Sequence, residues 1–170
     1  FCLFVEWGPP HNPYVAPPEY MNLYDPDGLT MRPNWQAGAR LGSQADMAGY
    51  YAAISFIDDE VGRLLEALDA TGQAEDTIVV LTSDHGDMLG SQGVSLKRKP
   101  WEESIQVPGI VRYPAAVQAG QTHAFPFSHV DMAPTLLGLA QTRWPDGMPR
   151  RMQGRDLSAA LLGEPFEPPR

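Results

Sequence analysis

Met47, Tyr50, Ile54, Ile57, Val61, Leu64, Leu65 and Leu68 recur at spacings of three and four. One apolar stripe of this period predicts a long amphipathic helix. Ser43 is placed to cap its start, and Gly72 stands where a glycine closes a helix C-terminus. Burying such a stripe stabilises by roughly 1.5–3 kcal/mol per side chain, so the helix reads as scaffold. Before it, Phe1–Val5 is a continuous apolar run that reads as a buried strand, stopped by Gly8-Pro9-Pro10. After it, Thr77–Thr82 is β-branched and apolar and reads as a central strand. Strand, helix and strand in this order predict a βαβ crossover in a largely parallel sheet. A further strand is expected over Val107–Tyr113, broken by Pro108 and closed by Pro114. A shorter helix is expected from about Asp131, with Pro134 near its first turn, to about Ala140, and a small one near Leu157–Leu162. No period survives between Gly8 and Gly42, which reads as a long surface loop. Gly86–Pro100 is a glycine-punctuated basic loop.

The 170 residues carry 12 Lys+Arg against 21 Asp+Glu, a formal charge of −9. That balance argues against general phosphate-backbone binding, so no nucleic-acid partner is expected. Cys2 stands alone, which removes any internal disulfide or multi-cysteine metal site. No apolar run is long enough for a transmembrane helix, and no basic-then-apolar leader is present. Opening on Phe1, inside an apolar run, suggests a piece of something larger.

Thr82-Ser83-Asp84-His85-Gly86-Asp87 follows the central strand directly. In open α/β sheets, sites lie outside the carboxyl ends of strands. Asp84 and His85 there suit a divalent metal: the carboxylate is a hard ligand and the imidazole widens the choice. A polar turn in which Asp84 caps the next segment accounts for the same residues. His11, between Pro9-Pro10 and Asn12-Pro13, is presented from a stiff loop, as an anion-facing group or an ordinary loop histidine. Lys97-Arg98-Lys99 is the basic cluster that would attract sulfate or phosphate, unless it is merely solvated. Glu102 and Glu103 are placed to neutralise it. Asp58-Asp59-Glu60 lies within the amphipathic helix, where Asp59 and Arg63 can pair four residues apart. His129-Val130-Asp131 has no G-x-S-x-G elbow to serve, and Asp131 reads as a helix cap.

Several segments, in order, resemble the sulfatase family of the alkaline-phosphatase-like superfamily. They are Pro9–Tyr14, Tyr50–Ile54 with Asp58 and Gly62, Thr77–Asp87, Met88–Gly93, Lys97 with Trp101–Pro108, Val130–Leu137 and Gly154–Leu157. The resemblance implies an α/β fold. Residues 1–113 would be the C-terminal part of a mixed or parallel sheet flanked by helices. Residues 114–170 would continue into a smaller antiparallel α+β sub-domain. It implies hydrolysis of a small-molecule or saccharide sulfate ester. Asp84 and His85 would be the second pair of metal ligands, for Ca2+ first and Mn2+ or Mg2+ otherwise. Lys97 would contact the sulfate, with Lys99 the weaker candidate, and His11 would face the sulfate and the leaving-group oxygen.

The family's nucleophile is a formylglycine made within C-x-P-x-R or S-x-P-x-R, and neither motif occurs in these 170 residues. The resemblance places it upstream, with the first metal pair, so the 170-residue chain alone is expected to be inactive. Two other readings fit the same residues: a phosphonate or phosphodiester hydrolase of the superfamily, or a non-catalytic metal- or anion-binding remnant. The Tyr14–Gly42 loop, rich in Tyr, Trp and Pro, is the expected wall of a substrate pocket. A packed surface loop accounts for it equally.

Overall fold

The computed structural model describes residues 1–142 and 152–168. They contain short helix α1 (Pro18–Met21), a 3-10 turn (Pro26–Gly28), α2 (Gln44–Ala70), β1 (Val79–Thr82), α3 (Glu102–Ile105), β2 (Gly109–Arg112), α4 (His129–Leu139) and α5 (Ser158–Leu161). The chain divides into two compact units. One is Phe1–Ala67 with His85–Val107, and the other is Leu68–Asp84 with Pro108–Arg170.

In the first unit α2 begins as expected. The Ser43 hydroxyl accepts the Asp46 N–H at 3.1 Å, and Asp46 Oδ2 accepts the N–H groups of Gly42 and Ser43 at 2.8 and 2.9 Å. Burial opposes the Asp46 charge, but those bonds outweigh it and hold the carboxyl below its usual range. The expected stripe is buried only at its start. Met47, Ala48, Gly49, Ala52 and Ala53 are buried, whereas Ile54 and Leu64 are 43% and 39% exposed. The core lies over that first half, where Tyr14, Met47 and Leu89 meet, with Leu29, Met31, Leu41, Tyr50 and Tyr51 packed around them. Burying Met47 and Leu89 contributes roughly 1.5–3 kcal/mol each. Asp59 does not pair with Arg63 as expected. It accepts the Tyr20 hydroxyl at 2.7 Å, while Arg63 reaches Glu60, three residues away, at 2.8 Å.

Phe1–Val5 is not a strand. Phe1, Leu3, Phe4 and Val5 are 89%, 68%, 83% and 44% exposed. A strand needs neighbours for its N–H and C=O groups, and among the described residues none pairs with this one. The Gly8–Gly42 loop is not structureless either, since it contains α1 and the 3-10 turn.

In the second unit the last turn of α2 closes at Gly72 (φ +67), where Gln73 N–H reaches the Leu68 carbonyl at 2.9 Å. The predicted strands form, β1 beginning two residues late and β2 shortened at both ends, but pair antiparallel: Val79 opposes Arg112 and Thr82 opposes Gly109. Among the described residues this two-stranded ribbon is the whole sheet. The expected parallel crossover is therefore absent here, because Phe1–Val5 does not supply its first strand. α4 starts two residues before Asp131, which places Pro134 in its second turn. Asp131, 1% exposed, accepts N–H groups from Ser128 and Arg155 at 3.0 and 2.8 Å and lies 3.6 Å from the Arg155 guanidinium. Asp131 thus caps α4 and fastens the Arg155 segment beside α5. Burial again opposes the charge, and these donors hold the carboxyl below its usual range.

Candidate functional site

Within the first unit two segments converge: the proline loop carrying His11 and the loop running from His85 to Lys97. Lys97 Nζ lies 2.5 Å from His11 Nε2. His11 Nδ1 is 3.0 Å from the Asn12 carbonyl oxygen, which can only accept. The ring proton therefore sits on Nδ1, and Nε2 offers its lone pair to the Lys97 ammonium. The His11 and His85 rings meet edge to face, with centroids 6.2 Å apart. His85 Nδ1 lies 2.8 Å from the Gly86 carbonyl, which places a ring proton there too.

Gly86 is needed where it stands. Its N–H donates to the Ser104 carbonyl at 2.9 Å, and a Cβ there would collide with the Glu103 carbonyl. Asp87 is buried and accepts the Tyr14 hydroxyl at 2.8 Å and the Leu89 N–H at 3.0 Å. Arg32 Nη1 binds the carbonyls of Asp87 and Met88 and the Ser91 hydroxyl, at 3.3, 3.2 and 3.1 Å. Lys97 lies between two non-glycine residues in the left-handed region, Leu96 (φ +64) and Arg98 (φ +66). Each costs about 1–2 kcal/mol, so packing of the whole loop maintains them.

His11, His85 and Lys97 are thus brought together. Asp84, exposed, is joined to His85 by the peptide bond and belongs to the other compact unit. Lys99 is exposed, and its backbone N–H reaches the Ser104 hydroxyl at 3.3 Å. Glu103 does not neutralise the basic cluster as expected. Its carboxylate takes the Asn34 amide at 2.5 Å, and that bond, with the Arg32 charge nearby, holds it below its usual range. The Tyr14–Gly42 loop packs on the 86–95 loop through Arg32, Leu41, the Asn34 carbonyl, which accepts the Gln92 N–H at 2.9 Å, and Trp35, opposite Ser91 in an isolated bridge. His129, in the second unit, is 2.7 Å from the Ser83 carbonyl. Tyr14, Arg32 and Asp87 join these loops with no signal in a single sequence, because the partners they bind across the loops are more than fifty positions away.

A carboxylate followed by an imidazole has the donor types of a divalent-metal site. Among the described residues no group of three or more His, Cys, Asp or Glu is placed to hold a metal.

Residues 1–142 match the sulfatase family model. The chain belongs to the sulfatase family. The ulvan-active sulfatase of Formosa agariphila is 39% identical over 165 residues, covering 95% of this chain and 32% of that protein. A solved protein in complex with its substrate, D-glucosamine-2-N,6-O-disulfate, is 39% identical with a TM-score of 0.64. That match covers 71% of this chain and 24% of the other. The phosphonate monoester hydrolase of Silicibacter pomeroyi is 27% identical with a TM-score of 0.81, over 95% of this chain and 37% of that one. This sulfatase-family chain spans about a third of the length of such relatives. No helix among its described residues is long and apolar enough to cross a membrane.

Proposed function

We propose that this chain is the leaving-group side of a metal-dependent sulfatase that hydrolyses sulfate esters of saccharides. The observation that carries the reading is the Lys97–His11 contact, 2.5 Å long, set beside His85. An ammonium with three N–H donors can keep its bond to His11 and still meet a sulfate oxygen. As the ester bond breaks, negative charge grows on the departing sugar oxygen. Lys97 meets that charge, and His11 Nε2 keeps the ammonium aimed.

Asp84 and His85 would contribute to holding the cation, calcium first and manganese or magnesium otherwise. When bound, it supplies positive charge to the sulfate oxygens. The nucleophile, a formylglycine in this reading, lies outside the 170 residues, so this chain alone turns nothing over. Saccharide sulfates are favoured by the relatives that act on ulvan and on glucosamine disulfate.

The Silicibacter pomeroyi neighbour supports a second reading, a phosphonate monoester hydrolase. The test is turnover of 4-nitrophenyl sulfate and of a matched 4-nitrophenyl phosphonate monoester by the complete, calcium-loaded enzyme. Faster sulfate turnover that collapses in Lys97→Ala supports the sulfatase reading, and faster phosphonate turnover transfers it to the second. Activity in the isolated 170-residue chain, abolished by Asp84→Ala, overturns the claim that it lacks a nucleophile.

A further inference from the structure

We propose that Tyr14 and Asp87 are positioning residues of this site, whose buried hydrogen bond ties the segment carrying His11 to the turn carrying His85. The inference rests on the sulfate-ester reading above. The two side chains are 73 positions apart, 6% and 7% exposed, and joined by a bond of 2.8 Å from the Tyr14 hydroxyl to Asp87 Oδ2. Tyr14 is the third residue after His11, and Asp87 the second after His85. Three residues span at most about 10 Å, so a pin at Tyr14 leaves the His11 ring little range. The bond acts beside the exposed Lys97–His11 contact and the apolar packing of the Tyr14 ring, and the His11 and His85 rings lie 6.2 Å apart.

Both ends of the bond are themselves fixed. The Tyr14 ring packs against Met47 and Leu89 and meets Tyr50 edge to face at 6.0 Å. Its carbonyl lies so close to Gly49 of α2 that any Cβ there would overlap it. The other Asp87 oxygen takes the Leu89 N–H at 3.0 Å. Holding two loops together does not require a polar pair in a core. An apolar pair of the same volume stabilises as well or better, since a buried carboxylate loses its hydration. What the polar pair adds is direction, because one hydroxyl meets one oxygen in one geometry. Burial, with the Asp87 bond, pushes the Tyr14 phenol far above its ordinary range, so it stays a neutral donor.

The test is Tyr14→Phe, with Tyr24→Phe as control, because Tyr24 lies on the same loop and its hydroxyl meets Ser55 at 2.7 Å. The first readout is the long-range 1H–15N imidazole spectrum of the 170-residue chain, and the second is kcat and KM of the complete enzyme on 4-nitrophenyl sulfate. Tyr14→Phe is expected to convert His11 from one Nδ1–H tautomer to a mixture, and to lower kcat roughly tenfold with KM within about twofold. Tyr24→Phe is expected to change neither. Asp87→Asn can still meet both neighbours, its oxygen taking Leu89 N–H and its amide donating to the Tyr14 oxygen. It should keep the wild-type His11 spectrum, and Asp87→Ala should reproduce Tyr14→Phe. A Tyr14→Phe protein that melts earlier yet keeps the His11 spectrum and kcat overturns the proposal, as does an Asp87→Asn protein that behaves like Asp87→Ala. If the complete wild-type enzyme hydrolyses neither sulfate nor phosphonate esters, the functional reading fails, and the His11 spectra alone decide this one.

Discussion

Lys97 donates to His11 Nε2 across 86 positions of sequence, and His11 is able to accept because its own Nδ1 proton is engaged by the Asn12 carbonyl. The backbone beside one residue therefore fixes the role of the other. Replacing the donor should remove the positive charge and leave the histidine tautomer intact. Lys97→Ala is expected to lower kcat/KM on an aryl sulfate by about 10²–10³, the loss seen when a charge-stabilising donor is removed. Steady-state kinetics on the complete enzyme check it, and retention of more than a tenth of the activity would remove Lys97 from the reaction.

Metal content tests Asp84 and His85 separately from turnover. In the calcium-loaded complete enzyme, Asp84→Ala and His85→Ala should each weaken binding of the cation by tenfold or more, as losing one ligand of a hard-cation site does. Titration calorimetry with calcium, manganese and magnesium also ranks the three. Unchanged affinity in both variants would return Asp84-His85 to a polar turn.

Two glycines of α2 predict opposite signs. A Cβ at Gly49 overlaps the Tyr14 carbonyl, whereas one at Gly62 meets nothing within 4 Å. Gly62→Ala should stabilise the 170-residue chain by about 1 kcal/mol through helix propensity. Gly49→Ala should destabilise it by about 1–3 kcal/mol through overpacking. Urea denaturation of both variants reads the difference directly.

Asp131 predicts a pH dependence. Its carboxyl is held below the ordinary value in the folded chain, so its contribution is complete above the unfolded value near pH 4. That contribution is lost as pH falls through the lower, folded value. Asp131→Asn should cost about 1–3 kcal/mol at pH 7, where a buried charged acceptor is removed. The gap from wild type should narrow as pH drops below about 4. Denaturation at pH 7 and pH 3 measures both, and an equal gap at the two pH values contradicts the assignment.

The sequence disclosed the elements with strong local causes. The α2 start is legible in Ser43 and its end in Gly72, and Val79–Thr82 and Gly109–Arg112 lie within predicted strands. What it did not disclose is set by contacts distant in the chain. β-branched composition predicts a strand and says nothing of its partner, so the antiparallel ribbon was not readable from Thr77–Thr82. Ile54 and Leu64 belong to the apolar stripe by period, but burial needs an opposing surface, and here they remain part exposed.

Among site residues, the proline-bracketed His11 and the post-strand Asp84-His85 stand out because unusual local composition surrounds them. Tyr14 and Asp87 do not. The left-handed backbone at Leu96 and Arg98 was equally silent, since neither is the glycine or asparagine by which such positions are recognised.

The exposed segment Phe1–Val5 gives the chain a colloidal character of its own. Its apolar side chains form a sticky patch, while the −9 charge pushes copies apart. The repulsion shortens in range as salt rises, to about 8 Å at physiological ionic strength, and the stickiness does not. Dilute buffer should therefore keep the isolated chain dispersed, and added salt should draw it into clusters that light scattering detects.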